Sequence, residues 1–442
     1  MDIENAISGG KLKEKVLDAD DAQLIAMGKK PELQRVYNTW TLCAYQVMIS
    51  ASWSCLIVLY STIFDVGGPF GLVWATLIVS IGQTLLMTSL AEYCSIWPTA
   101  GGQQYYTQAL ATGRSRPFLS YLVGWAIMVG EISTGSSCAL NSAQIIASFV
   151  QIAHPNIEWK SWMTWLLYTG LLIGPVITNL NQRWLPGVNL FGAIWVVGGG
   201  VAWAIVFIVM APKHDAKVIF TEFLNNTGYE NTGWNDASTP QPYMSWWIGV
   251  TGSLYGGGLF CALVMIGINF FVIVGTNNAG SRIVWSMARD KAFPYSEYLA
   301  QVSPRFGIPL RAIGFVVVVD LILGLIVLGS DLAFQSIISG GGLMLQVSYL
   351  VPVVIVLVRG RKTLPPRPHF DLGRWGYAIN IFSIGATILF PGLYWIFGAR
   401  FRYIKEQNSV MEDNVVVIDG VAIAALEAMR RNEGAQIVTS KE

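Results

Sequence analysis

Apolar residues in this chain come in long uncharged runs rather than in the short alternations of a soluble fold. From Trp40 to Phe64, 25 consecutive positions carry no formal charge, and similar runs recur as far as Phe397. A helix needs about 20 apolar residues to cross a ~30 Å hydrocarbon core. The pattern predicts spans at 41–63, 70–91, 117–142, 162–180, 188–211, 246–274, 310–329, 334–358 and 376–398. A buried helix of a soluble protein explains one such run; nine together make the fold class all-α, a multi-spanning helical membrane protein. The chain divides into a polar cytoplasmic N-terminal tail (1–37), a transmembrane domain (38–398) and a polar C-terminal tail (399–442). Residues 1–36 contain no apolar core of a cleavable signal, so the first span is expected to insert as its own signal.

Charge then orients the spans, because short cytoplasmic loops collect Lys and Arg. Lys29, Lys30 and Arg35 precede the first span. Arg114 and Arg116 follow the second, and Arg183 follows the fourth. Loop 282–309 holds Arg282, Arg289, Lys291 and Arg305, while 359–374 holds Arg359, Arg361, Lys362, Arg367 and Arg374. The alternate loops are poor in Lys and Arg, and one of them holds an N-x-T acceptor, Asn225-Asn226-Thr227. The N-terminus is therefore expected inside. Nine spans from that start put the C-terminus outside, yet Arg400, Arg402 and Lys405 follow Phe397 at once. Pro391-Gly392, in mid-run, marks this as the place where the pattern fails.

Composition narrows the function. Charged residues are 12% of the 442, against about 25% in an ordinary soluble domain. A net charge of +1 without a basic stripe excludes nucleic-acid binding. Cys43, Cys55, Cys94, Cys138 and Cys261 have no metal-type spacing, so neither a disulfide framework nor a metal site is expected. The three histidines, His154, His214 and His369, lie near or beyond span ends, and no nucleophile–base pattern is present. An enzyme is not expected, and no cofactor is called for.

Four segments stand out chemically. The first span carries Ile49-Ser50-Ala51-Ser52-Trp53-Ser54, small polar residues at mid-depth. They suit a broken helix whose backbone groups meet a substrate, and equally a close helix crossing. Glu131, among Gly130, Ser133, Thr134, Gly135, Ser136 and Ser137, sits near mid-span, where a carboxylate costs ~2.5–3.5 kcal/mol. It reads either as a cation-contacting or proton-coupling group, with Asn269 or Asn277 as polar company, or as a protonated acid bonded to a neighbouring helix. Asp320 has only apolar sequence neighbours and ranks below it. After the second span, Pro98 and Gly101-Gly102-Gln103 predict a re-entrant or tightly turned inner loop that serves as a gate, or else an ordinary turn.

Together these segments resemble the amino acid–polyamine–organocation superfamily, most closely its fungal GABA/choline permease branch. The resemblance rests on an ordered set: Ser50-Ala51-Ser52-Trp53; Gly67-Gly68-Pro69-Phe70-Gly71-Leu72-Val73-Trp74; Pro98-Thr99-Ala100-Gly101-Gly102-Gln103; Ser281-Arg282, Trp285 and Ala288-Arg289-Asp290; Pro294-Tyr-Ser; Leu364-Pro-Pro; and Gly373-Arg374-Trp375-Gly376. It covers about residues 38–236 and 245–398. It implies a permease with two inverted five-helix repeats, whose first and sixth helices are broken around the substrate. By that likeness Ile49, Ser50, Ala51, Ser52 and Trp53 are the substrate-binding stretch. The implied activity is proton-coupled secondary transport of an amino acid or a related nitrogenous compound of the GABA, choline or polyamine class. The bilayer is that of the plasma membrane, or of an internal membrane such as the vacuole's.

The chain departs from that pattern. A sixth span should follow Thr232-Gly233-Trp234, but Asn235-Asp236 passes into Ser238-Thr239-Pro240 and then Trp246-Trp247, the approach to the eighth. Spans six and seven are missing from the pattern, and Ile381–Phe397 reads as the eleventh and twelfth fused. The fold is then an incomplete repeat permease, and the alternative function is a non-transporting truncated isoform, degraded or modulating a full-length partner.

Overall fold

In the computed structural model, residues 36–54, 60–154, 156–210, 255–303, 307–329, 331–365 and 370–394 are described, with a few positions between 24 and 33 and Lys217 and Phe220. Eleven α-helices lie among them: α1 (Thr39–Ser50), α2 (Tyr60–Ile96), α3 (Gly102–Leu110), α4 (Ser115–Ala153), α5 (Ser161–Asn179), α6 (Leu185–Met210), α7 (Tyr255–Arg289), α8 (Ser296–Leu299), α9 (Leu310–Leu325), α10 (Asp331–Arg359) and α11 (Gly376–Tyr394). There is no strand among the described residues. Seven of these helices contain a stretch long and apolar enough to cross a membrane. The protein is an integral, multi-pass membrane protein.

Two expected boundaries change. The turn expected at 64–69 is absent, and α2 winds unbroken through Pro69. The described positive-φ glycines lie elsewhere, at Gly102, Gly113, Gly307, Gly360 and Gly373. The span expected to end at 274 continues to Arg289, so the small and polar run Gly275–Gly280 lies inside α7. Residues 55–59, the junction at Asp236 and the tail 399–442 lie outside the described residues, as does the end of the last expected span.

Helix α4 is the axis of the bundle, packing against α10, α7, α5, α3 and α9. Its Val123, Ile127 and Ile132 meet Val284, Trp285 and Met287 of α7 and Val316 of α9 in one buried cluster. A second cluster joins Leu140 and Ala143 of α4 to Tyr168 and Leu172 of α5 and Phe334 of α10. At the periphery the pattern inverts. Leu190, Ile194, Val197, Val201, Ile205 and Ile208 of α6 are all more than 45% exposed and recur at helical spacing, which makes them a lipid-facing stripe.

Helix α1 packs on α6 and α7. It begins on a reciprocal cap: Asn38 Oδ1 accepts from the Thr41 amide at 2.9 Å and Thr41 Oγ1 from the Asn38 amide at 2.8 Å. It ends at Ala51, where φ is 36° and ψ 38°, and a helical turn restarts over 52–54.

Candidate functional site

The break in α1 is the first element of the site. Ala51 is 2% exposed and left-handed, a conformation costing a non-glycine residue roughly 1–2 kcal/mol. Its amide reaches back to Val47 O at 3.3 Å, and Ser54 closes the restart through its amide and its hydroxyl, both bonded to Ala51 O. The five sequence-designated residues part company here. Ile49 lies against the bare backbone of Gly275 on α7. Ser50 is exposed and accepts a hydrogen bond from Gln46 Nε2 at 3.0 Å; Ser52 is exposed too. Trp53 turns to α6, donating Nε1–H to Val196 O at 3.0 Å, with its ring over Gly199 and Gly200 and tilted against Trp203. A Cβ on Gly200 would stand 3.0 Å from the indole nitrogen, so the missing side chain is what admits the ring.

Glu131 faces the same stretch of α7. Its Cβ lies 3.6 Å from where a Cβ on Gly280 would stand. One turn along both helices, Gly135 is packed on Thr276, and further on Asn269 Nδ2 bonds Asn141 Oδ1 at 2.9 Å and Ser142 Oγ at 3.0 Å. The two helices thus run antiparallel with a row of small and polar side chains between them. Glu131 is half-buried, lies within charge-interaction range of Tyr45 on α1 and Tyr349 on α10, and forms no hydrogen bond among the described residues. Tyr45 donates its hydroxyl to Gly275 O at 2.9 Å, tying α1 to the segment that Glu131 faces.

The two asparagines behave differently. Asn277, 1% exposed, donates Nδ2 to Ile273 O at 3.1 Å, and its Oδ1 is buried without a partner. It lies three residues from Gly280, at the level of Glu131. Asn269 is 11 residues from Gly280, about 16 Å along the axis at 1.5 Å per residue. It belongs to the α4–α7 contact and not to the surroundings of Glu131.

Gly101, Gly102 and Gln103 sit where α3 begins. Thr99 and Gly102 close successive turns by backbone bonds, and Gly102 has φ +48°, which favours glycine. The segment is a tight turn followed by a nine-residue helix. A Cβ on Gly101 would stand 3.0 Å from Ser286 Oγ, so this turn packs under the end of α7, with Gln103 half-buried. Around it stand Lys29, bonded to Asp290 at 2.5 Å and 5.6 Å from the Tyr105 ring centroid, and Arg282, 5.6 Å from that of Tyr37. Partial burial raises the Tyr105 hydroxyl above its ordinary value, so this phenol stays neutral beside the lysine.

One group passed over by its sequence neighbours is well connected in space. Asp320, 1% exposed on α9, accepts from Ser136 Oγ of α4 at 2.7 Å, and Tyr168 of α5 bonds both residues. Partners on two other helices leave no trace around residue 320 itself.

A profile of the amino acid permease family matches residues 239–412. An uncharacterised amino-acid permease of Schizosaccharomyces pombe is 24% identical over 93% of this chain and 88% of its own length. The choline transporter of Saccharomyces cerevisiae is 23% identical over 84% and 77%. Amino-acid permease 2 of Neurospora crassa is 22% identical over 92% and 87%. All-helical, with an interrupted first span, and similar to these permeases over most of its length, this chain is a multi-spanning membrane transport protein that resembles the amino acid–polyamine–organocation superfamily, and not an enzyme.

Proposed function

We propose that the chain carries an amino acid or a related nitrogenous compound (GABA, choline or a polyamine) across the membrane by proton-coupled secondary transport. One observation carries the reading: the last turns of α1 before its break, through Tyr45 and Ile49, and Glu131 of α4 face one small-residue stretch of α7, Gly275–Gly280, from two sides. A helix restart frees backbone N–H groups, which favour a carboxylate. A carboxylate among tyrosines suits an ammonium head. Asn277 Oδ1 adds a buried acceptor for an N–H donor. Glu131 is the proton-coupling group in this reading, and the turn at Gly101–Gln103 controls access from the basic end of the bundle.

The test is uptake by purified 442-residue protein in liposomes, with a pH gradient as driving force and GABA, choline, putrescine and α-amino acids as solutes. Saturable uptake of an ω-amino acid or amine is expected, with Glu131→Gln flattening its pH dependence while leaving the amount of folded protein unchanged.

A second reading, that this shortened form does not transport, is supported by a different observation. The alignment with the S. pombe permease runs over 480 positions yet uses 93% of this chain. About 70 positions therefore lack a counterpart here, the length of about three spans at ~20 residues each. Gln46 and Ser50 on α1 are exposed, as is Ser52 beyond the break, although a lipid-facing surface at that depth would be apolar. Folded, monodisperse protein that takes up nothing, beside S. cerevisiae choline transporter active in the same vesicles, would establish this reading.

A further inference from the structure

We propose that Asp320 binds a proton within a hydrogen-bonded ring completed by Ser136 and Tyr168, a site distinct from Glu131, and that this proton joins α9 to α4 and α5. Three contacts define the ring: Asp320 Oδ1 to Ser136 Oγ at 2.7 Å, Ser136 Oγ to Tyr168 Oη at 3.1 Å, and Tyr168 Oη to the Asp320 carbonyl oxygen at 2.7 Å. Each needs one hydrogen. The serine and tyrosine hydroxyls supply two, and the carbonyl oxygen supplies none, so the third comes from the carboxyl.

With that proton in place, the Asp320 hydroxyl donates to Ser136, Ser136 donates to Tyr168, and Tyr168 donates to the Asp320 carbonyl. The Ser136 and Tyr168 hydroxyls then each give one bond and take one. Without it, Ser136 donates to the carboxylate and Tyr168 must choose between two acceptors, leaving one contact without hydrogen. No heavy atom moves between the two states, so the site takes up and releases a proton by rotating hydroxyls alone.

The surroundings offer no other way to balance an ionised Asp320. Helix α5 has no Asp, Glu, Lys or Arg between Ser161 and Asn179. On α4, Glu131 lies five residues away, about 7.5 Å along the axis, and faces Gly280. On α7, Arg282 and Arg289 lie near the basic end, over Tyr37 and Trp285. Arg311, nine residues back on α9, lies over Tyr298, and α8 carries Glu297. On α10, Tyr349 lies on the Glu131 side and Arg359 bonds Leu110 O. Among the described residues no cation is paired with Asp320. An unpaired carboxylate at this depth is costly.

The site does not depend on the transport reading, and the test does not measure transport. Infrared spectra of purified protein at neutral pH should contain the C=O stretch of a protonated carboxyl. The band should persist in Glu131→Gln and vanish in Asp320→Asn. Tyr168→Phe, which opens the ring without removing the acid, should shift the band, and titration should then abolish it at a lower pH than in the parent. If Asp320→Asn does not fold, Ser136→Ala and Tyr168→Phe still report, since both should move the band. A band that survives Asp320→Asn, is unmoved in both hydroxyl variants, or is missing from the parent protein overturns the proposal.

Discussion

Glu131 and Asp320 are both carboxyl groups at mid-bundle, about five residues apart in level, but their neighbourhoods are opposite. Asp320 is 1% exposed and held by hydroxyls from two other helices, with Tyr168 packed on Gly324 and edge-on to Phe334. Glu131 is half-buried, forms no hydrogen bond among the described residues, and faces glycine on α7 near Tyr45 of α1. The first arrangement gives the carboxyl, the serine and the tyrosine partners within the protein. The second leaves capacity unused, and unused capacity is what a solute needs. A buried acid is therefore not a site merely by being buried; the number of its protein partners separates a cohesive role from a receptive one.

The sharpest way to break this contrast is to crowd the ring. Gly324→Val would drive a branched side chain into the Tyr168 ring, and overpacking of this kind costs about 3 kcal/mol. Thermal unfolding in detergent should show the loss. A comparable change against Gly280, where the nearest side-chain atom is 3.6 Å from a Cβ, should be far milder.

Truncating each acid compares the two regions directly. Asp320→Ala leaves the buried Ser136 hydroxyl short of a partner, while Tyr168 keeps the backbone carbonyl, at about 2 kcal/mol. Glu131→Ala removes no hydrogen bond and should stay within about 0.5 kcal/mol. Equal losses of unfolding temperature in the two variants would erase the distinction.

Smaller changes probe the receptive region alone. Trp53→Phe keeps the ring over Gly199 and Gly200 but removes the bond to Val196 O, at about 1 kcal/mol. Ala51→Gly relieves a left-handed alanine, though glycine also loosens the unfolded chain. The net is a gain of roughly 0.5 kcal/mol, read as a slightly higher unfolding temperature. A loss instead would mean that the break is held by something other than its own backbone.

Hydrophobic run length is a local property, compared only with the thickness of a bilayer, so the membrane class, the helical fold and most span positions were legible in the chain. The same holds for the small residues 49–54: they mark a break because Ser and Ala do not enforce a continuous packing surface, and the break falls at Ala51. Polar partnership is not local. Asp320 looked isolated because Ser136 and Tyr168 are 184 and 152 residues away. Asn269 looked like company for Glu131 because both are polar and mid-span, yet helix rise puts them on different levels. Trp53 read as part of a binding stretch, but which way an indole turns depends on where α6 offers glycine. The gap expected between the spans 41–63 and 70–91 is likewise not decided by composition, and α2 stays helical through it from Tyr60. What the sequence determined by itself is which segments leave water. Which buried group meets which was decided by the tertiary structure, because a hydrogen bond depends on two helices at once.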